Sequence, residues 1–271
     1  MHFIKTESLG NDFILLDARD TAETLNLTKE KILELCDRHR GIGADGILLL
    51  TTAASNSVTL TIFNADGSKA AMCGNGLRCV AAYLYAKEKL KKTTVVTEAG
   101  VLETQLISDN QLVVEMPEAE ILADDLKTVL PPTAIPEFEA IDKIYHVNVG
   151  VPHVVVLLKP QTELNSDLAV TLGGFWMQHP LFPHGTNLDL VVPANSKLLK
   201  VLTYERGVGL TAACGTGATA VAAAWLLTHP ELSSVTISFR LGDFIISKSN
   251  SSKRLKFAGP LPKLIFRGEL L

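Results

Sequence analysis

Two cysteines stand at matching places in this 271-residue chain. Cys73 opens Cys73-Gly74-Asn75-Gly76 and leads to Val80-Ala81-Ala82; Cys214 opens Cys214-Gly215-Thr216-Gly217 and leads to Val221-Ala222-Ala223. Each thiol therefore sits at a Gly-rich entry to a helix. The N–H groups of a helix start carry partial positive charge and favour a thiolate or a bound carboxylate. A cysteine there is expected to have a lowered pKa, and the glycines let backbone approach a ligand closely. If the two helix starts serve one substrate, N–H groups of Gly74, Asn75, Gly215 and Thr216 can hold a carboxylate. The two thiols can then act on opposite faces of the adjacent carbon, one removing a proton and the other delivering one.

A single Cys-Gly-x-Gly reads as a tight turn over a buried thiol. Two copies 141 residues apart read differently, because packing alone does not call for the same thiol twice at a helix entrance. The same displacement carries Ile62-Phe63-Asn64 onto Thr203-Tyr204-Glu205. Within one residue it also carries Gly10-Asn11-Asp12-Phe13-Ile14 onto Gly150-Val151-Pro152-His153-Val154. A period this long indicates paired domains rather than a short-repeat array. Cys36 and Cys79 lack the glycine context. Cys36 shares a helix face with Ile32 and Leu35, and Cys79 lies inside a helix, so both read as core.

The elements that must position these groups follow from periodicity. Leu77, Val80, Ala81, Leu84 and Tyr85 recur at helical spacing, and Ala218–Leu227 is apolar nearly all round, as in a helix enclosed on every side. Short runs rich in Val, Ile and Leu read as strands: 46–50, 58–63, 93–97, 111–116, 154–158, 188–192 and 235–239. The expected fold is α+β, with two similar domains, each a curved sheet wrapped on a central helix. The first half covers 1–117, rejoined by 260–271, and the second covers 118–259. The halves join near Pro117–Asp125, and Pro131, Pro132 and Pro136 mark a second irregular stretch.

Apolar residues make up 47% of the chain and charged residues 20%, the balance of a globular protein. With 25 basic against 29 acidic residues and no basic stripe, nucleic acid is not an expected partner, and the Lys87–Lys92 run reads as a solvated helix end. No secretory signal is visible at the N-terminus, and the longest apolar run, Ala220–Leu227, is far short of a membrane span. Four cysteines without a Cys-x-x-Cys pair suit a reducing cytoplasm.

Several segments stand in order along the chain: Leu9-Gly10-Asn11-Asp12-Phe13, Arg40-Gly41-Ile42-Gly43-Ala44-Asp45-Gly46, Phe63-Asn64-Ala65-Asp66-Gly67-Ser68, Met72-Cys73-Gly74-Asn75-Gly76, Gly185-Thr186-Asn187, Tyr204-Glu205-Arg206-Gly207 and Ala213-Cys214-Gly215-Thr216-Gly217. Together they resemble the signatures of the diaminopimelate epimerase family. The resemblance implies two similar domains with the site between them, an amino-acid substrate, and neither metal nor pyridoxal phosphate. It implies interconversion of LL- and meso-diaminopimelate, with Cys214 as base and Cys73 as acid in the LL-to-meso direction. Gly74, Asn75, Gly215 and Thr216 would hold the reacting carboxylate, and Asn11, Asn64, Asn187, Glu205 and Arg206 would line the remainder. An Arg with neighbouring amides suits the distal carboxylate. Glu205 suits an ammonium and, with His153, would tune the thiols. His153 reads either as a site-lining group or as a buried histidine with its hydrogen bonds satisfied.

Three positions depart from the family pattern. Val151 stands where the family often has Asn, Gly46 where some members have Gln, and Phe266 where some have a Tyr linked to dimer formation. Fewer polar contacts would loosen substrate selection, for instance toward glutamate. A homodimer is expected. Two other classes are open to Gly-flanked cysteines. A thiol–disulfide redox protein lacks its Cys-x-x-Cys here, and a phosphate cradle lacks its Gly-Lys-Ser/Thr ending. Proline racemases also use paired cysteines, but Asn64, Asn187 and Glu205-Arg206 fit them poorly.

Overall fold

In a computed structural model the described residues are 2–19, 27–52, 57–130, 138–250 and 252–269. The chain forms two compact units, Met1–Glu115 with Ala258–Leu271, and Met116–Phe257.

The first unit contains β1 (His2–Ser8), β2 (Asn11–Asp17), α1 (Lys29–Cys36), β3 (Gly46–Thr52), β4 (Ser57–Asn64), β5 (Lys69–Ala70), α2 (Gly74–Glu88), β6 (Lys92–Thr97), β7 (Gly100–Ser108) and β8 (Gln111–Glu115). The second contains β9 (Glu120–Ala123), β10 (Ile141–Asn148), β11 (Pro152–Leu158), α3 (Ser166–Met177), β12 (Asn187–Asn195), β13 (Leu198–Glu205), β14 (Gly209–Thr211), α4 (Gly215–Thr228), β15 (Ser234–Phe239) and β16 (Gly242–Lys248). Strand β17 (Leu255–Pro260) carries the chain back to the first unit, which ends with β18 (Lys263–Glu269).

Each unit repeats one ladder. In the first, β18, β1, β2, β3, β4, β6, β7 and β8 pair in that order, parallel at β2–β3 and β4–β6 and antiparallel elsewhere. In the second, β9, β10, β11, β12, β13, β15 and β16 follow the same sequence of pairings, parallel at β11–β12 and β13–β15. Parallel neighbours need a crossover, and the helices lie in those crossovers. Strand β9 falls within the acidic stretch where the sequence suggested a joint; its pairing with β10 places it in the second unit's ladder. Pro131, Pro132 and Pro136 lie outside the described residues.

Side-chain alternation on the strands sorts the two faces of each sheet. Ile47 and Leu49 of β3 pack with Ile32, Leu35 and Cys36 of α1. Leu48, between them, faces α2, for a Cβ on Gly76 would meet its Cδ2 at 2.9 Å. In the second unit Leu188, Leu190 and Val192 of β12 pack with Leu168, Leu172 and Trp176 of α3. Helix α2 contacts β1, β2, β6, β7, β8 and β18, and α4 contacts β10, β11, β12, β15 and β16. Every residue from Gly74 to Leu84 is buried, as is every residue from Gly215 to Ala222, so each cysteine-led helix is enclosed by its own sheet. Full burial of each aliphatic side chain contributes about 1.5–3 kcal/mol. The fold is therefore α+β, two like domains each built as a sheet around a helix.

Candidate active site

Both helices begin in the same way. Cys73 is the N-cap of α2 with φ −149° and ψ 108°, and its Sγ accepts the Gly76 N–H at 3.3 Å. Cys214 is the N-cap of α4 with φ −127° and ψ 121°, and its Sγ accepts the Gly217 N–H at 3.3 Å. A thiol takes the place that Ser, Thr or Asp usually fills, so each sulfur lies at the positive end of its helix.

Around Cys73 the groups come from β1, β2 and α2. A two-residue Leu9-Gly10 turn joins β1 to β2, with φ of 49° and 87°. Positive φ at both positions is what a tight hairpin of this twist needs, and it sets Asn11 at the start of β2. Asn11 Oδ1 lies 4.0 Å from Cys73 Sγ, while its Nδ2 donates to Asp45 at 3.1 Å. Asn75 is buried, and its Oδ1 accepts from Ser8 Oγ at 3.2 Å; Ser8 in turn accepts from Arg78 at 2.8 Å. Burial pulls the Arg78 guanidinium down to about 10. Asn64 is exposed at the end of β4 and donates to Ser68 Oγ at 2.9 Å. At Gly46 a Cβ would stand 2.3 Å from the Phe63 carbonyl oxygen, so the backbone there is closed to any side chain.

Around Cys214 the surroundings are acidic. Its Sγ is 3.3 Å from Thr216 Oγ1. Burial, with the nearby carboxylates of Glu205 and Asp189, pushes the Cys214 thiol well above its ordinary value, and the Thr216 and Gly217 donors offset this only in part. The lowered pKa expected from a helix start does not hold for Cys214. Desolvation and two negative neighbours outweigh the helix end. Burial likewise raises the Glu205 carboxyl, against the opposing hydrogen bonds of Thr211 and the Cys214 thiol. Cys36 and Cys79 are buried core thiols, pushed up to about 11 and about 12 by desolvation. None of the four cysteines is joined in a disulfide.

His153, on β11, is completely buried. Its Nδ1 lies 2.7 Å from Asp189 Oδ2 and its Nε2 lies 3.2 Å from Asn187 Nδ2. Asn187 Oδ1 accepts the Arg206 backbone N–H at 2.9 Å, and the exposed Arg206 guanidinium donates to the His184 carbonyl at 2.8 Å. Within the second unit the structure thus joins His153, Asn187 and Arg206 in one chain of contacts and sets Glu205 beside Cys214. Val151 is half-buried in the turn before β11. Phe266 is exposed on β18 with its ring edge-on to Phe3. Sequence alone assigns no site role to Asp189, or to Thr203 beyond its place in the repeat, although a carboxylate inside the apolar Leu188–Val192 run was a signal that something buried pairs with it. Among the described residues no cluster of three or more His, Cys, Asp or Glu side chains could hold a metal ion, and no helix is long and apolar enough to cross a membrane.

Comparison with known proteins places the whole chain in one family. The diaminopimelate epimerase family model matches residues 3–122 and 145–258. A diaminopimelate epimerase of Synechocystis is 37% identical, covering 99% of this chain and 98% of its own. One of Pelotomaculum thermopropionicum is 35% identical, covering 99% and 98%. Among solved structures, a phenazine biosynthesis protein of the PhzF family from Bacillus anthracis shares the fold with a TM-score of 0.73 at 14% identity, over 100% of this chain and 99% of that one. A hydroxyproline epimerase from Agrobacterium vitis has a TM-score of 0.69 at 14% identity, over 100% and 90%. With a family match across most of its length and relatives above one-third identity end to end, the chain belongs to the diaminopimelate epimerase family.

Proposed function

We propose that this protein interconverts LL- and meso-diaminopimelate by proton transfer at Cα between two thiols, serving lysine and peptidoglycan precursor synthesis. The observation that carries the reading is the repeated thiol N-cap, one at the head of each enclosed helix. In the LL-to-meso direction the Cys214 thiolate takes the Cα proton. The electron pair left behind spreads into the adjacent carboxylate, and the Cys73 thiol delivers its proton to the opposite face. The reverse reaction exchanges the roles. Helix-start N–H groups of Gly74, Asn75, Gly215 and Thr216 hold the reacting carboxylate, where negative charge grows in the transition state.

Asn11, Asn64, Asn187 and Arg206 orient the rest of the substrate, and Arg206 meets the distal carboxylate. Glu205 pairs with a substrate ammonium. That pairing has a consequence for Cys214, whose thiol is held high by burial and, after it, by the Glu205 carboxylate. A cation beside Glu205 cancels part of the negative field and promotes thiolate formation when substrate is present.

The Val151 side chain offers no hydrogen bond where an Asn amide would read the distal end, so selection is looser than with the full polar set. At Gly46 a side chain would require the Phe63 carbonyl to shift, so a polar contact cannot be restored there by simple substitution. Four cysteines without a disulfide favour a reducing cytoplasm, and the exposed Ile265 and Phe266 of β18 favour a homodimer through that strand. Racemisation and epimerisation rates on a panel of amino acids test the assignment. Diaminopimelate is expected to turn over fastest, with a slower measurable rate on glutamate. No rate on diaminopimelate defeats the assignment; silence on every other amino acid defeats only the part resting on Val151.

A further inference from the structure

The chain of contacts through His153 fixes its own hydrogen positions. The Arg206 backbone N–H can only donate, so the Asn187 atom facing it at 2.9 Å is the carbonyl oxygen. The amide nitrogen of Asn187 therefore faces His153 Nε2 at 3.2 Å and donates to it, which requires Nε2 to carry no hydrogen. A neutral imidazole then keeps its proton on Nδ1, which donates to Asp189 Oδ2 at 2.7 Å. Thr203 Oγ1 donates to the other carboxylate oxygen at 2.7 Å. His153, Asp189 and Thr203 are all completely buried, where an unsatisfied or wrongly placed proton is costly. Space around the carboxylate is also tight, since a Cβ on Gly217 would stand 2.3 Å from Asp189 Oδ1.

From this geometry we propose that Asp189 is a positioning residue: it locks His153 in the Nδ1–H form, which turns the Asn187 amide so that its carbonyl holds the Arg206 backbone. Both ring nitrogens are then engaged away from the thiol, and His153 works as the middle link of a relay from β13 to the substrate-orienting loop. The consequence for substrate rests on the proposed function, because it takes Asn187 and Arg206 as substrate contacts. The proton assignment does not depend on it.

Two-bond proton–nitrogen correlation spectra of the full-length protein with 15N-labelled histidine test the assignment, with His153→Asn identifying the resonance. The wild type is expected to show a protonated Nδ1 and a bare Nε2 at neutral pH. A protonated Nε2, alone or together with Nδ1, overturns the proposal with no variant needed. In Asp189→Asn the side-chain amide can donate to Nδ1, moving the proton to Nε2 against the Asn187 amide and turning it over. KM for diaminopimelate is expected to rise about tenfold, the equivalent of one hydrogen bond, with kcat little changed. A folded Asp189→Asn protein with the switched ring and unaltered KM overturns the link to Asn187. A wild type with the expected ring form and no turnover of diaminopimelate instead defeats the substrate reading and leaves the proton assignment standing.

Discussion

The two units share a ladder and a thiol-capped helix, yet differ in what lies beneath that helix. In the second unit the floor is polar, with His153, Asp189 and Thr203 hydrogen-bonded to one another and wholly buried. At the corresponding strand positions of the first unit stand Phe13, Leu48 and Ile62, all buried and apolar. Register supports the correspondence. Leu48 lies opposite Ile62 on β4 as Asp189 lies opposite Thr203 on β13, and Phe13 pairs with Gly46 as His153 pairs with Asn187. Duplication thus preserved the backbone and the thiol while the floor diverged. One cysteine gained carboxylates that hold its proton on, and the other stands over hydrocarbon. The matching glycines feel the difference: Gly76 faces the flexible end of Leu48, and Gly217 faces the fixed carboxylate of Asp189.

Exchanging the floors breaks this comparison most severely. Leu48→Asp buries a carboxylate with no histidine or hydroxyl to receive it and forfeits the leucine's burial, together costing about 3–5 kcal/mol. Chemical denaturation should show that loss, and adding Phe13→His and Ile62→Thr should recover part of it. A Leu48→Asp protein as stable as the wild type would mean that the first floor is not the closed apolar layer described.

A milder test compares the glycines. Gly217→Ala should cost about 1–3 kcal/mol through its clash with Asp189, whereas Gly76→Ala should cost less, because Leu48 Cδ2 can move aside. Thermal melts of the pair decide it, and equal losses would contradict the difference in rigidity.

Much of this was legible in the sequence because repetition and periodicity are local. Both cysteines, the glycines behind them and the apolar helix over 218–227 announced the two enclosed helices. The Val- and Leu-rich runs announced the strands, down to the core roles of Cys36 and Cys79. Less legible was anything set by tertiary surroundings. A helix start taken alone suggests an acidified thiol, and only the fold reveals that burial, joined by the Glu205 and Asp189 carboxylates, raises Cys214 instead. Gly46 read as a missing polar contact, but the closeness of the Phe63 carbonyl, a partner 17 positions away, makes glycine a steric requirement. His153 stood between two readings until both of its ring nitrogens had partners.

Exchange at the substrate carbon tests the two-thiol account most directly. Wild-type protein, Cys73→Ser and Cys214→Ser are each incubated with LL-diaminopimelate in heavy water, and deuterium at Cα is followed together with the yield of the meso form. The wild type is expected to deliver deuterium with inversion, and each serine variant to lose epimerisation by at least about 10²- to 10⁴-fold. Full epimerase activity in either serine variant would contradict it.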